Sequence, residues 1–188
     1  GKDIRMFTES RPFPSNELFY GAGKTNATSS IVYRKEYLDN PPSWYFEAPV
    51  GDTPLALILS TKGYIYYIDE FMSAYRVGVS NSWTTRMSKS SMDEKEQHKR
   101  RIEIMLREID QYSDFKYTSV INSFILKNWF NFMIDQGKYN EIKKAEYRTL
   151  YSQLGIIYKI KIFIKQYCPA IAKLLITFRR KYKSWTLK

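Results

Sequence analysis

Apolar residues follow two different patterns along the chain. Up to about residue 84 they come in short β-rich or continuous runs, and from residue 92 they recur at helical spacing. In the first region Thr28–Arg34, rich in β-branched residues and Tyr, predicts a strand. The apolar run after Gly51-Asp52-Thr53-Pro54 predicts a helix over Pro54–Thr61 that stops at Gly63. Tyr64–Ile68 predicts a second strand, which Met72–Val77 continues or bends before closing at Gly78. Residues 1–27, with Pro12, Pro14 and a polar Gly21–Asn26 turn, read as loop. The pattern is strand, helix, strand, part of an α/β domain.

A Ser-rich stretch, Thr84–Ser91, reads as a hinge or linker. Ser91 with Glu94 three residues on matches a capping box, and Ile102, Met105, Leu106 and Ile109 put a helix over 92–112. A second helix is expected over Tyr117–Gln136, ending at Gly137, and a third over Lys138–Tyr151. Residues 156, 157, 160, 163, 164 and 167 form one apolar stripe at helical spacing, and Pro169 suits the first turn of a further helix. The expected division is an α/β part over 1–84, a helical hairpin or bundle over 85–151, and basic amphipathic helices over 152–188. No internal repeat is present.

Charge sharpens this picture. The chain of 188 residues carries a net +11. After Glu146 there is no Asp or Glu, whereas Arg148, Lys159, Lys161, Lys165, Lys173, Arg179, Arg180, Lys181, Lys183 and Lys188 are all cationic. That asymmetry implies an anionic partner: a membrane surface, nucleic acid or a polyanionic product. The aliphatic stripe beside the cations favours a membrane surface through residues 156–188, as in an interfacial helix. No stretch reaches the roughly 18 uninterrupted apolar residues of a spanning helix. The first residues show no basic region followed by an apolar run, so no signal peptide is read. Gly1 in place of an initiator Met reads as the start of a fragment.

Cysteine and histidine limit the chemistry. Cys168 is the single cysteine, which excludes an internal disulfide and a cysteine zinc cluster. The one histidine, His98, lies among Glu96, Gln97, Lys99 and Arg100 and reads as solvated, which argues against Ser-His-Asp and Cys-His catalysis. Gly21-x-Gly23-Lys24-Thr25 lacks the spacer of a phosphate-binding loop. Attention therefore falls on Asp52. Pro54 at the first helical position makes Thr53 the expected N-cap and leaves Asp52 just outside the helix, near its positive end. By residue type alone, Asp52 is a capping or loop residue. Asp69 and Glu70 read as a turn after a strand, and Trp44, Tyr45 and Trp83 as packing aromatics.

Four linked elements change that balance. Thr28-Ser29-Ser30-Ile31-Val32-Tyr33-Arg34-Lys35 is similar to the T-S-S-hydrophobic-R-K strand of bacterial family 2 glycosyltransferases. Pro49-Val50-Gly51-Asp52-Thr53-Pro54-Leu55 resembles their G-D-x-P-L element, and Tyr66–Val77 resembles Y-I-D-E-x-M-S-x-Y-R-V. Asn81-Ser82-Trp83-Thr84 is close to a following G-S-W-(S/T). Order and spacing hold over residues 28–84, about a third of the chain.

The resemblance implies a GT-A fold and inverting transfer of a sugar from a nucleotide-sugar to an acceptor hydroxyl in cell-surface glycan synthesis. Asp52 would be the general base. Thr28, Ser29, Gly51, Tyr75, Arg76 and Trp83 would contact substrate, with Arg76 beside the departing diphosphate. The family's divalent metal, Mg or Mn, is held by an Asp-x-Asp in a donor-binding half, and only Asp3 precedes Thr28 here. The chain is therefore expected to be the C-terminal, acceptor-side portion of such an enzyme, inactive alone and without a metal of its own. Its place would be cytoplasmic, peripheral to the inner face of a bacterial membrane, with a lipid-linked or polysaccharide acceptor. The alternative is a non-enzymatic basic helical module that binds nucleic acid or anionic membrane.

Overall fold

The computed structural model describes residues 5, 7–21, 28–74, 76 and 78–171. The chain is mainly helical with a small two-stranded antiparallel sheet, and it divides into two compact units, 1–125 and 126–188. In the first unit the order is β1 (Arg11–Phe13), α1 (Ser15–Gly21), α2 (Trp44–Glu47), α3 (Asp52–Lys62), β2 (Ile65–Tyr67), α4 (Trp83–Lys89) and α5 (Met92–Tyr112). Helix α6 (Thr118–Asp135) runs across the division at Leu126. The second unit continues with two short 3-10 segments, α7 (Arg148–Ser152) and α8 (Ile156–Tyr167).

The centre of the first unit is α3. Its apolar residues face more than one direction, and Leu57 and Ile58 are both 0 % exposed. A short helix that is apolar on several sides has to be enclosed. It packs against α1 and α5. Ser60, also buried, bonds its hydroxyl to the Leu57 carbonyl at 2.7 Å, and its own carbonyl accepts from Ser15 Oγ at 2.6 Å. The polar groups of the helix end are thereby satisfied inside the core.

The strand preceding α3 is not the expected one. Thr28–Ser30 forms a 3-10 turn and 31–34 is irregular, with Val32 almost fully exposed. β-branched residues favour a strand only where a partner strand and a half-buried face exist. The partner of β2 is instead Arg11–Phe13, inside the region expected to be loop, in the register Arg11↔Tyr67, Pro12↔Tyr66, Phe13↔Ile65. Pro12 is tolerated because both strands of a two-stranded sheet are edges. Phe7 closes one face, its ring 5.4 Å from those of Phe13 and Tyr67.

The expected linker at 84–91 is helix α4. Ser82 caps it by accepting from the Thr85 N–H at 3.2 Å, a hydroxyl cap that offsets weak intrinsic propensity. The capping box holds as expected. Ser91 Oγ accepts from Glu94 N–H at 3.2 Å, and Glu94 accepts from Ser91 N–H at 2.6 Å. Along α5 the residues Met105, Leu106 and Ile109 are buried. The α5–α6 turn is built on Asp110, whose buried carboxylate accepts from Thr118 Oγ1 at 2.9 and 3.0 Å.

In the second unit, α6 ends as expected before Gly137, whose φ of +71° requires glycine or strain. The helix expected over 138–151 is broken into Glu141–Lys143, Ala145–Tyr147 and α7. Phe130, Ile134, Ile142, Tyr147 and Ile162 form the core beneath. The turn-rich Gly21–Asn26 lies, past Gly21, outside the described residues, as does the helix expected from Pro169 beyond Ile171. Among the described residues no helix is long and apolar enough to cross a membrane.

Full enclosure of Ile58 makes it a sensitive probe of the α3 core. Ile58→Ala is expected to destabilise the first unit by about 2–5 kcal/mol, measured by denaturant unfolding followed by tryptophan fluorescence; a change below about 0.5 kcal/mol contradicts this packing.

Candidate active site at the start of helix α3

Asp52 is the first residue of α3, not the residue before it, and Gly51 occupies the N-cap position without a side-chain bond. Thr53 is inside the helix, so it is not the cap. The relation between the two residues is the reverse of the expected one. Asp52 Oδ1 accepts from the Thr53 backbone N–H at 2.7 Å and from Thr53 Oγ1 at 3.3 Å. Pro54 follows as the third helical residue, where its missing N–H is no loss. One carboxylate oxygen thus engages a first-turn amide, in the favourable field of the helix start. Oδ2 accepts no hydrogen bond from any described residue, and the side chain is half-buried. Asp52 both closes the helix start and keeps an oxygen open.

Gly51 beside it has φ −91° and ψ −34°, a conformation open to any residue. A Cβ added there meets nothing within 4 Å. Neither backbone conformation nor space demands glycine at this position.

The remaining expected site residues are distributed unevenly. Thr28 and Ser29 are exposed on the 3-10 turn. Arg76 is exposed and forms no ion pair with a described residue, and Tyr75 lies outside the described residues. Trp83 opens α4 with its ring 5.5 Å from that of His98, and about half of it (48 %) remains exposed. No hydrogen bond, ion pair or ring contact among the described residues joins Thr28, Ser29, Arg76 or Trp83 to Asp52.

Other candidates are occupied structurally. Asp69 accepts from Tyr67 OH at 3.1 Å, donates its backbone N–H to Ser10 Oγ at 2.9 Å and pairs with Arg5. It ties the N-terminal strand region to the end of β2. Trp44 packs on Tyr112 at 6.2 Å, and Arg101 holds the Glu47 carbonyl at 3.1 Å, anchoring α2 to α5. His98 is not solvated as expected. It is half-buried against Trp83, and burial, followed by the nearby charges of Lys99 and Arg101, pushes its pKa down.

Among the described residues no group of three or more His, Cys, Asp or Glu is placed to hold a metal ion. A separate open cleft of about 580 Å³ lies in the second unit, lined by Lys138, Tyr139, Asn140, Lys165 and Gln166 among others, and contains none of the expected site residues. No family model, no curated protein and no solved structure matches this chain.

Two outcomes follow from this geometry. Gly51→Ala is expected to stay within about 1 kcal/mol of the parent in stability; a larger loss in thermal or denaturant unfolding means that the space at Gly51 is needed by the fold. His98, with a folded pKa below its ordinary 6.5, favours the folded state fully above that value and loses this contribution as pH falls through the depressed one. The thermal midpoint of the parent should therefore drop, relative to His98→Gln, on acidification through that range, and a constant gap contradicts the burial of His98.

Proposed function

We propose that residues 1–84, within the first unit, are the acceptor-side part of a GT-A-type, inverting glycosyltransferase of family 2. The sequence elements over 28–84 support this reading, and one geometric observation carries it. Asp52 is held at the start of a helix whose Leu57 and Ile58 are fully buried, with one oxygen fixed and the other open, beside a glycine that the fold does not require. A general base needs that combination: a fixed position, a free lone pair and room for the group that gives up its proton.

In this reading the acceptor hydroxyl gives its proton to Oδ2 of Asp52. Its oxygen forms the new bond to the anomeric carbon from the face opposite the nucleoside diphosphate, and the bond to the diphosphate breaks with inversion. The diphosphate leaves with the electron pair. Arg76, exposed and without an acidic partner among the described residues, is the cation available to meet that charge. Thr28, Ser29, Tyr75 and Trp83 would border the acceptor. The donor nucleotide and its divalent metal belong to a nucleotide-binding half, and no step above is assigned to the metal.

The test is made on the reading frame that contains this chain together with the sequence preceding it. Release of nucleoside diphosphate from a panel of UDP-, GDP- and dTDP-sugars is measured with membrane-extracted lipid acceptors. Asp52→Asn, isosteric but without a base, is expected to lower transfer about 10²–10⁴-fold while nucleotide affinity by calorimetry stays unchanged. Gly51→Ala should lower transfer without loss of stability. Full activity of Asp52→Asn removes it as the base.

A further inference from the structure

Helix α8 is turned the opposite way from an ordinary amphipathic helix. Ile162 is its one buried residue, at 3 % exposure, inside the core of the second unit. Ile156, Ile157, Ile160, Phe163 and Tyr167 are all between 50 % and 71 % exposed. At about 100° per residue, Lys159, Ile162 and Gln166 share one arc of roughly 60°, and Ile156, Ile160, Phe163 and Tyr167 share another on the outer side.

The inner arc is fixed by polar clamps. Lys159 donates to the Ser152 carbonyl at 3.0 Å and lies 5.6 Å from the Tyr151 ring centre. Gln166 donates to Asn140 Oδ1 at 2.7 Å and accepts from Lys143 at 3.0 Å. These contacts set the rotation of the helix, so the outer isoleucines cannot turn inward without breaking them. The apolar stripe is a built surface of the folded unit.

Charge identifies what covers it. Lys161 and Lys165 are exposed beside the stripe, Lys165 shares its cleft with Lys138, and no acidic residue occurs from Tyr147 to Lys188. A second copy of this helix would bring like charges together with no carboxylate to answer them. Aliphatic isoleucines offer nothing to a phosphate backbone in water. An anionic lipid surface satisfies both features, taking the stripe into the acyl boundary and the lysines at the headgroups.

We propose that α8 is a preformed interfacial helix that seats the second unit on an anionic membrane surface through Ile156, Ile157, Ile160, Phe163 and Tyr167, with Lys161 and Lys165 at the headgroups. This does not depend on the transferase reading. The full chain is expected to float with phosphatidylcholine–phosphatidylglycerol vesicles and not with pure phosphatidylcholine vesicles. The triple variant Ile157→Ser, Ile160→Ser, Phe163→Ser is expected to lose at least about tenfold in partitioning. Lys161→Gln with Lys165→Gln should lose about fivefold per charge on anionic vesicles only. Circular dichroism and the thermal midpoint check that both variants fold; one that does not is replaced by Ile160→Ser alone, read in the same assay.

Three results overturn the proposal. One is a parent that stays unbound on anionic vesicles. Another is serine variants that float as the parent does, which assigns binding to the basic tail alone. The third is a stripe covered by self-association, seen as a dimer in sedimentation that the serine variants abolish, or by nucleic acid, seen as salt-sensitive binding that they abolish while vesicles stay unbound.

Discussion

The enclosure of α3 is the constraint on which the rest of the first unit depends. Leu57 and Ile58 have no exposed surface, and Leu55 and Pro54 are buried beside them. Each fully buried aliphatic side chain contributes about 1.5–3 kcal/mol, so α3 cannot shift or rotate without a large loss. Its N-terminus is therefore a rigid platform. Any group at that end, Asp52 included, inherits the precision of its position from the core beneath it.

Sequence pattern revealed α5, α6 and α8 because their signals are local. The Ser91–Glu94 box, the spacing of Met105, Leu106 and Ile109, and Gly137 each act within a turn or two of the helix they specify. The sheet was less legible because its information is not local. β2 pairs with a segment more than fifty residues upstream, and that segment contains Pro12, a strand breaker by composition alone. Thr28–Arg34 has the better strand composition and no partner. Helix α4 was hidden for a related reason: Ser and Thr favour loops until one of them, here Ser82, is placed to cap.

At the candidate site, the reading of Thr53 and Asp52 shows the limit of pattern most clearly. Threonine before proline has the composition of an N-cap, yet a first-turn amide turns to the stronger acceptor one residue earlier. Spacing alone could not decide between them, because both are oxygen-bearing side chains at the first turn of the helix. The outward face of α8 was suggested by the cations beside its stripe and not by the stripe itself, since a helical apolar stripe is the usual mark of a buried side. Only the clamps on Lys159 and Gln166 fix which way that stripe points.

The residues of the resembling elements separate into those the fold uses and those it leaves over. Pro54 and Leu55 are core, Tyr67 is sheet, Asp69 is held by Arg5, Tyr67 and Ser10, and Ser82 is a cap. Each has a sufficient structural reason to be what it is. Gly51, the second oxygen of Asp52 and the guanidinium of Arg76 have none among the described residues: the glycine is not required by backbone or space, and the two charges are without partners. Stability tolerates almost any residue at such positions. Glycine is itself a preferred residue at an N-cap, so the proposed base rests on this remainder, Gly51 beside a carboxylate with one oxygen unengaged among the described residues, and not on the motif as a whole.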